Sequence, residues 1–494
     1  MTWQRSVFEW DTFGGMNEEF DKLDQEVMEG ARSPLSGMDA AMAAGKAFQS
    51  RKRVKRSVHR ELPAYLVVQS CWFMAFGLQM VLFPYLITNY IPRELLPFPP
   101  GTSLGIANMA LALPSVLFLL IGGVVAERAD GKRMLMLLHS FASLPALVLA
   151  IAVHEAWLAY YLMVAYGVAM GTLGAFMMPA RDSILNEVVD RRVRTGSGVT
   201  LQRGVAFATL AQFAAQICGI ILGGYADKAT KMPDFLGGFL VGPISTEHLL
   251  YIQALIVAFG AVAALWLARG RKVVTGRSGM TAAFGDMMDG FRTVRGNPQL
   301  LAMTLSMFGV GIFVIGSFLV VLPIINRRVF DLGPDGIRDM YMTFWFGAFV
   351  SSAILSFVKN LKRPGRLLLT AQFLGSMVIL VMLWEGIKDY HALFLGVVFI
   401  WGLAGGVSIA MSRSIVQAAA PKDQLARVLS IYQLGFMAGA PIGAFFMGIA
   451  VDVFGPHKIA FVPALGMGII VLWMVFGSPI WNMKTDEPNR PSSD

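Results

Sequence analysis

From about residue 62 onward the chain reads as long apolar runs broken by short polar stretches. A helix needs about 20 mostly apolar residues to cross the ~30 Å hydrocarbon layer of a bilayer. Twelve runs meet that length, at 62–90, 103–126, 134–153, 156–179, 200–225, 247–269, 298–326, 340–358, 366–385, 391–411, 428–452 and 459–481. Periodicity does not separate helix from strand inside runs so uniformly apolar. Their length and their Leu, Ala, Gly and Met content favour helices over the alternating ~10-residue strands of a barrel. The pattern predicts an all-α membrane protein with twelve transmembrane helices, here the first to twelfth spans.

Composition agrees. Of 494 residues, 55% are hydrophobic and 15% charged, against about 25% charged in soluble domains. The polar leader, residues 1–61, has no short apolar core followed by a small-residue cleavage site, so no cleaved signal peptide is expected. The two cysteines, Cys71 and Cys218, each lie inside an apolar run and read as small hydrophobes, not as a disulfide or metal site. The net charge of +9 would suit nucleic acid if it were clustered. Instead it follows the loops. With the N-terminus inside, 33 of the 41 Lys and Arg fall on inner segments. That bias places both termini in the cytoplasm, with the protein in a bacterial inner membrane, and no nucleic-acid partner is expected. The leader is acidic from Glu18 to Glu29 and basic at RKRVKR, residues 51–56. It reads as a mobile tail whose basic end sits on anionic headgroups.

The longest inner connection, 270–297, separates a first half at 62–269 from a second at 298–482, and residues 483–494 form a tail. In the connection, Phe284, Met287, Met288 and Phe291 recur at helical spacing, which predicts an amphipathic helix on the inner membrane surface. The halves resemble each other. PARDSILNEVV (179–189) precedes a Gly-rich span ending GGYAD, and SRSIVQAAAPKDQLARVLS (412–430) precedes one ending GIAVD. Arg181 thereby corresponds to Arg413, and Asp227 to Asp452. Duplicated six-span units are common in secondary transporters, with the site between the halves near the midplane.

Between the second and third spans lies a charged hairpin, GGVVAERADGKR, residues 122–133. With the twelve spans, it makes residues 62–481 resemble the major facilitator superfamily. NPQ after the linker, PAR after the fourth span, and RVLSIYQLGFMAGAPIG (427–443) look like the enterobactin-exporter and macrolide-efflux branch. The superfamily pattern G-x-L-A-D-R-x-G-R-K is followed at Gly123, Ala126 and Arg128. Glu127 stands where the family has Asp, and Asp130 adds one residue before Gly131, Lys132 and Arg133. The resemblance implies a gating clamp of Gly123, Glu127, Arg128, Lys132 and Arg133. Its neighbour would be the inner end of the eleventh span, and Arg181 is a cationic partner for Glu127. The alternative is an ordinary topology-setting loop with Asp130 capping the third span.

Gly219 and Gly223 in the fifth span, and Gly439, Pro441 and Gly443 in the eleventh, read as close-packing faces, with Pro441 a kink or weak point. The resemblance implies a cavity lined by the first, fourth, seventh and tenth spans. That makes Gln69, Gln79, Tyr166, Ser317, Trp401 and Ser408 candidate substrate contacts. No Asp or Glu stands at mid-depth in a span, so an uncharged or amphipathic substrate is expected and a proton-coupling acid is not evident. No Walker loop, HExxH or GxSxG appears.

The sequence therefore predicts a non-enzymatic secondary transporter without cofactor or metal. It would export a drug- or siderophore-like molecule by alternating access, as a monomer in the lipid bilayer, with protons the candidate coupling ion. A membrane receptor or assembly platform, or an uptake or lipid-flipping transporter of the same fold, is the alternative.

Overall fold

The computed structural model describes residues 37–194, 201–226, 245–267, 280–358, 361–421 and 424–483. The acidic half of the leader, Asp227 and the tail from 484 lie outside them. The described residues are almost wholly helical and contain no strand. Nine helices are long and apolar enough to cross a membrane among them. The shorter apolar helices Phe207–Gly223 and Phe461–Gly477, and the 24-residue helix Pro334–Phe357, occupy the remaining predicted spans. The chain is an integral membrane protein with twelve transmembrane helices.

The first helix differs from expectation at its start. It runs Gly37–Tyr85, so the basic stretch 51–56 is helical and continuous with the first span. Ala41, Ala43, Ala44 and Ala47 in that segment explain it, because alanine is the strongest helix former. Elsewhere the boundaries follow local chemistry. Asn297 accepts from the backbone N–H groups of Gln299 and Leu300, and Pro298 takes the first helical position. Asp130 caps the third span by accepting from Lys132 N at 3.1 Å. The eleventh helix, Leu425–Lys458, passes through Pro441 and departs from helical backbone at Gly455, whose φ is +83° and which precedes Pro456. Gly455 lies past the end of the eleventh span, at its junction with the twelfth.

Both halves repeat one packing scheme. The first span packs on the fifth, the second on the fourth and the third on the sixth; likewise the seventh on the eleventh, the eighth on the tenth and the ninth on the twelfth. A Cβ on Gly219 would collide with the backbone of Met74, and one on Gly443 with the backbone of Ile312. Only a residue without a side chain permits helix backbones to lie that close. Opposite Gly439 and Gly443 the seventh span widens into π-helical turns at Val310–Ile315 and Ser317–Val321.

The buried core is divided by depth. Toward the end of the bundle away from the hairpin, one continuous cluster joins both halves, from Leu78 and Leu104 to Val321, Tyr341 and Val451. At the hairpin end there are two separate clusters. Leu62, Leu135 and Ile184 belong to the first half, and Leu300, Leu368 and Ile415 to the second.

Candidate functional site

A cavity of about 290 Å³ lies between the halves where the shared core ends. Its walls come from the first, second and fourth spans on one side and the seventh, eighth and eleventh on the other. The lining is largely apolar, with aromatic and sulfur-bearing side chains that include Trp72, Phe76, Phe83, Met170, Phe436 and Met437. None of the described lining residues is charged, and the polar groups are few: Gln79, Asn108 and Ser115, with the Tyr341 hydroxyl. Such a mix, mostly apolar with a few placed polar groups, is what small-molecule pockets have in common.

Gln79 is the best-supported of these. Its Oε1 accepts from the Tyr166 hydroxyl at 3.1 Å, and that hydroxyl accepts from Gln253 Nε2 at 3.1 Å. Gln253 Nε2 also donates to the Ala75 carbonyl at 3.3 Å. Asn108 Nδ2 donates to Leu104 O at 3.0 Å, one turn back along its own helix.

The far end of the cavity is shut by contacts between the halves. Asp452, with a side chain 9% exposed, meets the start of the second span. It accepts from the backbone N–H groups of Gly101 at 3.2 Å and Thr102 at 2.6 Å, and from the Thr102 hydroxyl at 2.8 Å. Arg328 of its own half pairs with it at 2.7 Å. A carboxylate at the positive end of a helix, with its own arginine beside it, is a strong charge-assisted arrangement. Gly101, Gly105 and Gly448 let the two helices approach backbone to backbone there. Asn89 donates to Leu332 O at 3.5 Å, and the Arg338 guanidinium lies 5.9 Å over the Tyr225 ring. All these contacts are at the end away from the hairpin.

The sequence model of the Major Facilitator Superfamily matches residues 65–444. The chain belongs to that superfamily. Solved structures agree in fold. The nucleoside transporter NupG is similar at a TM-score of 0.61 and 14% identity, covering 83% of this chain and 96% of its own. A bacterial homologue of the human lysosomal transporter Spinster, inward-facing and unoccupied, is similar at 0.58 and 14%, covering 87% and 96%. A POT family transporter in complex with 5-aminolevulinic acid follows at 0.59 and 12%, covering 85% and 96%. No curated protein sequence matches the chain.

In this major facilitator, the residues singled out from sequence fall in different places. Gln79 and Tyr166 meet, and Gln79 alone of the six cavity candidates lines the cavity. Gln69 donates to the Ala208 carbonyl at 2.6 Å and joins the first span to the fifth. Ser408 accepts from Gln372, which in turn accepts from Ser306, inside the second half. Ser317 is fully buried with an unpartnered hydroxyl, and Trp401 packs in an aromatic cluster, 5.5 Å from Phe344 and 6.4 Å from Phe318 between ring centres.

The hairpin is placed in part. The side chains of Glu127 and Arg128 lie outside the described residues. Gly122 rather than Gly123 makes the close approach, against Ala175 of the fourth span, while Gly123 faces open space. Lys132 donates to the Leu265 carbonyl, and Arg133 sits 3.8 Å from Asp130. Arg181 pairs with its neighbour Asp182 at 3.2 Å and lies 4.9 Å over the Phe73 ring. The inner end of the eleventh span is engaged by the linker helix Met280–Gly296, through Arg427 to Asp286 at 2.6 Å. That helix exposes Phe284, Met288 and Phe291 but packs Met287, the fourth residue of the expected face, inward.

Three polar residues were missed by the sequence reading. Gln253 and Gln372 are buried amides that organise each half. His139 in the third span is fully buried, its Nδ1 on Leu135 O at 2.9 Å. The available signal is a lone ionisable residue in an apolar run.

Proposed function

We propose that this major facilitator is a secondary active transporter that exports an uncharged or amphipathic small molecule, drug- or siderophore-like, by alternating access. One observation carries the reading: a cavity between the halves, with a shared core and the Asp452 contacts on one side and two separate cores on the other. That is the geometry of one end closed and the other parted. The Lys and Arg bias assigns the parted end to the cytoplasm. The protein then stands ready to take substrate from inside, which is where an exporter loads. An uncharged lining suits a neutral substrate, because no fixed charge in the cavity waits to neutralise an ionic one.

Proton coupling is favoured by His139. It is a buried imidazole in the membrane interior, and its ring meets that of the cavity residue Trp72 edge-on at 5.9 Å. The test is a screen of neutral amphipathic compounds in proteoliposomes, with and without an imposed pH gradient. At least one compound is expected to move in a gradient-dependent way, and His139→Gln is expected to keep downhill movement while losing the gradient dependence. Translocation indifferent to the gradient for every compound ends the antiport reading. No translocation at all ends the transporter reading.

A further inference from the structure

The polar groups of the cavity are each held in one orientation, and those orientations say what the ligand must offer. A side-chain amide can be turned either way unless a neighbour that can only accept, or only donate, decides it. Gln253 has such a neighbour in the Ala75 carbonyl, which must receive its N–H. The same amide nitrogen reaches the Tyr166 hydroxyl, so that oxygen accepts there and sends its own proton onward to Gln79 Oε1. Gln79 is therefore held by its carbonyl oxygen. Its Nε2, with two N–H groups, has no protein partner among the described residues and belongs to a side chain lining the cavity.

Asn108 is fixed the opposite way. Its Nδ2 donates to the acceptor-only Leu104 carbonyl, which leaves Oδ1 as the free end. Ser115 gives its proton to Gly171 O at 2.8 Å and likewise keeps only acceptor capacity. The cavity thus offers one amide donor from the first span and two acceptors from the second, with the Tyr341 hydroxyl, which donates to Phe318 O. The wall is otherwise mostly apolar and carries no charge among the described residues.

We infer that the cavity selects neutral ligands that carry a hydrogen-bond acceptor and an N–H or O–H donor together, as a secondary amide or lactam does, on an apolar or aromatic body. Gln79 Nε2 takes the acceptor, and Asn108 Oδ1 takes the donor; Ser115 lines the same wall about two helical turns further on. Tyr166 and Gln253 are positioning residues: they touch no ligand and fix which end of Gln79 faces it. This deepens the transporter reading and rests on it. A charged ligand would gain no ion pair here, and a hydrocarbon would leave three polar groups unsatisfied, which is costly in a dry site.

The experiment is equilibrium binding to the full-length protein in lipid nanodiscs with three two-ring probes of similar size. N-benzylbenzamide carries acceptor and donor, its N-methyl derivative the acceptor alone, and 1,2-diphenylethane neither. Empty nanodiscs supply the partitioning background. The secondary amide is expected to bind roughly 10-fold more tightly than the N-methyl amide, the effect of one buried hydrogen bond. Asn108→Ala should remove that difference, and Gln79→Ala should weaken both amides together. Tyr166→Phe leaves every cavity-lining side chain in place but frees Gln79 to turn. It should weaken the two amides several-fold and leave 1,2-diphenylethane unchanged, which a general loss of packing would not do. Equal binding of all three probes to the wild type overturns the inference and leaves the cavity reading standing. Binding of none of them above empty nanodiscs overturns both. An N-methyl penalty that persists in Asn108→Ala removes Asn108 from the role.

Discussion

Glu127 is the residue on which the hairpin reading rests. The backbone around it shows what neighbouring positions do. Asp130 caps the third span, worth about 1 kcal/mol, and Gly122 fits against the fourth span. Neither task needs a carboxylate at 127. A Glu127→Gln change keeps the shape and removes the charge, so it isolates the clamp from the cap. It is expected to lower transport several-fold, with the same amount of protein in the membrane by quantitative blotting. Transport equal to wild type would leave the hairpin as a topology-setting loop. At this scale the sequence was informative where a polar residue stood alone in an apolar run, as Gln79 and Tyr166 do. It could not tell that these two meet, since 87 positions separate them. Nor could it tell that Gln69 and Ser408, similar in type, serve helix pairing inside each half.

Among helices, glycine positions separate into two kinds that sequence spacing does not distinguish. Gly443 lies against the backbone of Ile312 where the seventh span turns π-helical. Gly123 has nothing near the place a Cβ would take. Alanine at 443 forces two helices apart, and overpacking of this kind costs about 1–3 kcal/mol. Alanine at 123 adds only helix propensity, a gain of at most about 1 kcal/mol. Thermal unfolding in detergent is expected to show a lowered midpoint for Gly443→Ala and an unchanged or slightly raised one for Gly123→Ala. Equal midpoints would mean that the seventh and eleventh helices pack more loosely than their backbones indicate. The same distinction applies to breaks. Pro441 is visible in the sequence, yet the helical backbone continues through it. The backbone turns only at Gly455, where a positive φ is needed.

For the molecule as a whole, the question is what keeps one end shut. Asp452 makes three hydrogen bonds across to the other half, and each charge-assisted hydrogen bond of this type contributes about 1.5–3 kcal/mol. Losing about 3 kcal/mol of that closure shifts the open-to-closed ratio by roughly 100-fold. The prediction is read with Val116→Cys, a cavity position, in a Cys71→Ser, Cys218→Ser background. Adding Asp452→Ala should raise labelling by an impermeant maleimide applied on the side where Thr102 lies. Labelling that stays at the parent level assigns the closure to helix packing alone.

The sequence by itself determined the solvent the protein folds in, the number of its spans and their division into related halves. Those depend on run lengths, composition and loop charge, which are local quantities summed along the chain. It also exposed the amphipathic linker, because a helical face is written within a dozen residues. Only the tertiary structure decided which polar residues share the cavity, which glycines bear a backbone contact, and that Asp452 closes the far end onto Thr102, 350 positions away. In a chain whose spans are all apolar, hydrophobicity drives each helix into the membrane but does not choose its neighbour. That choice rests on steric fit and a few hydrogen bonds, and neither has a signature in the pattern of apolar and polar residues.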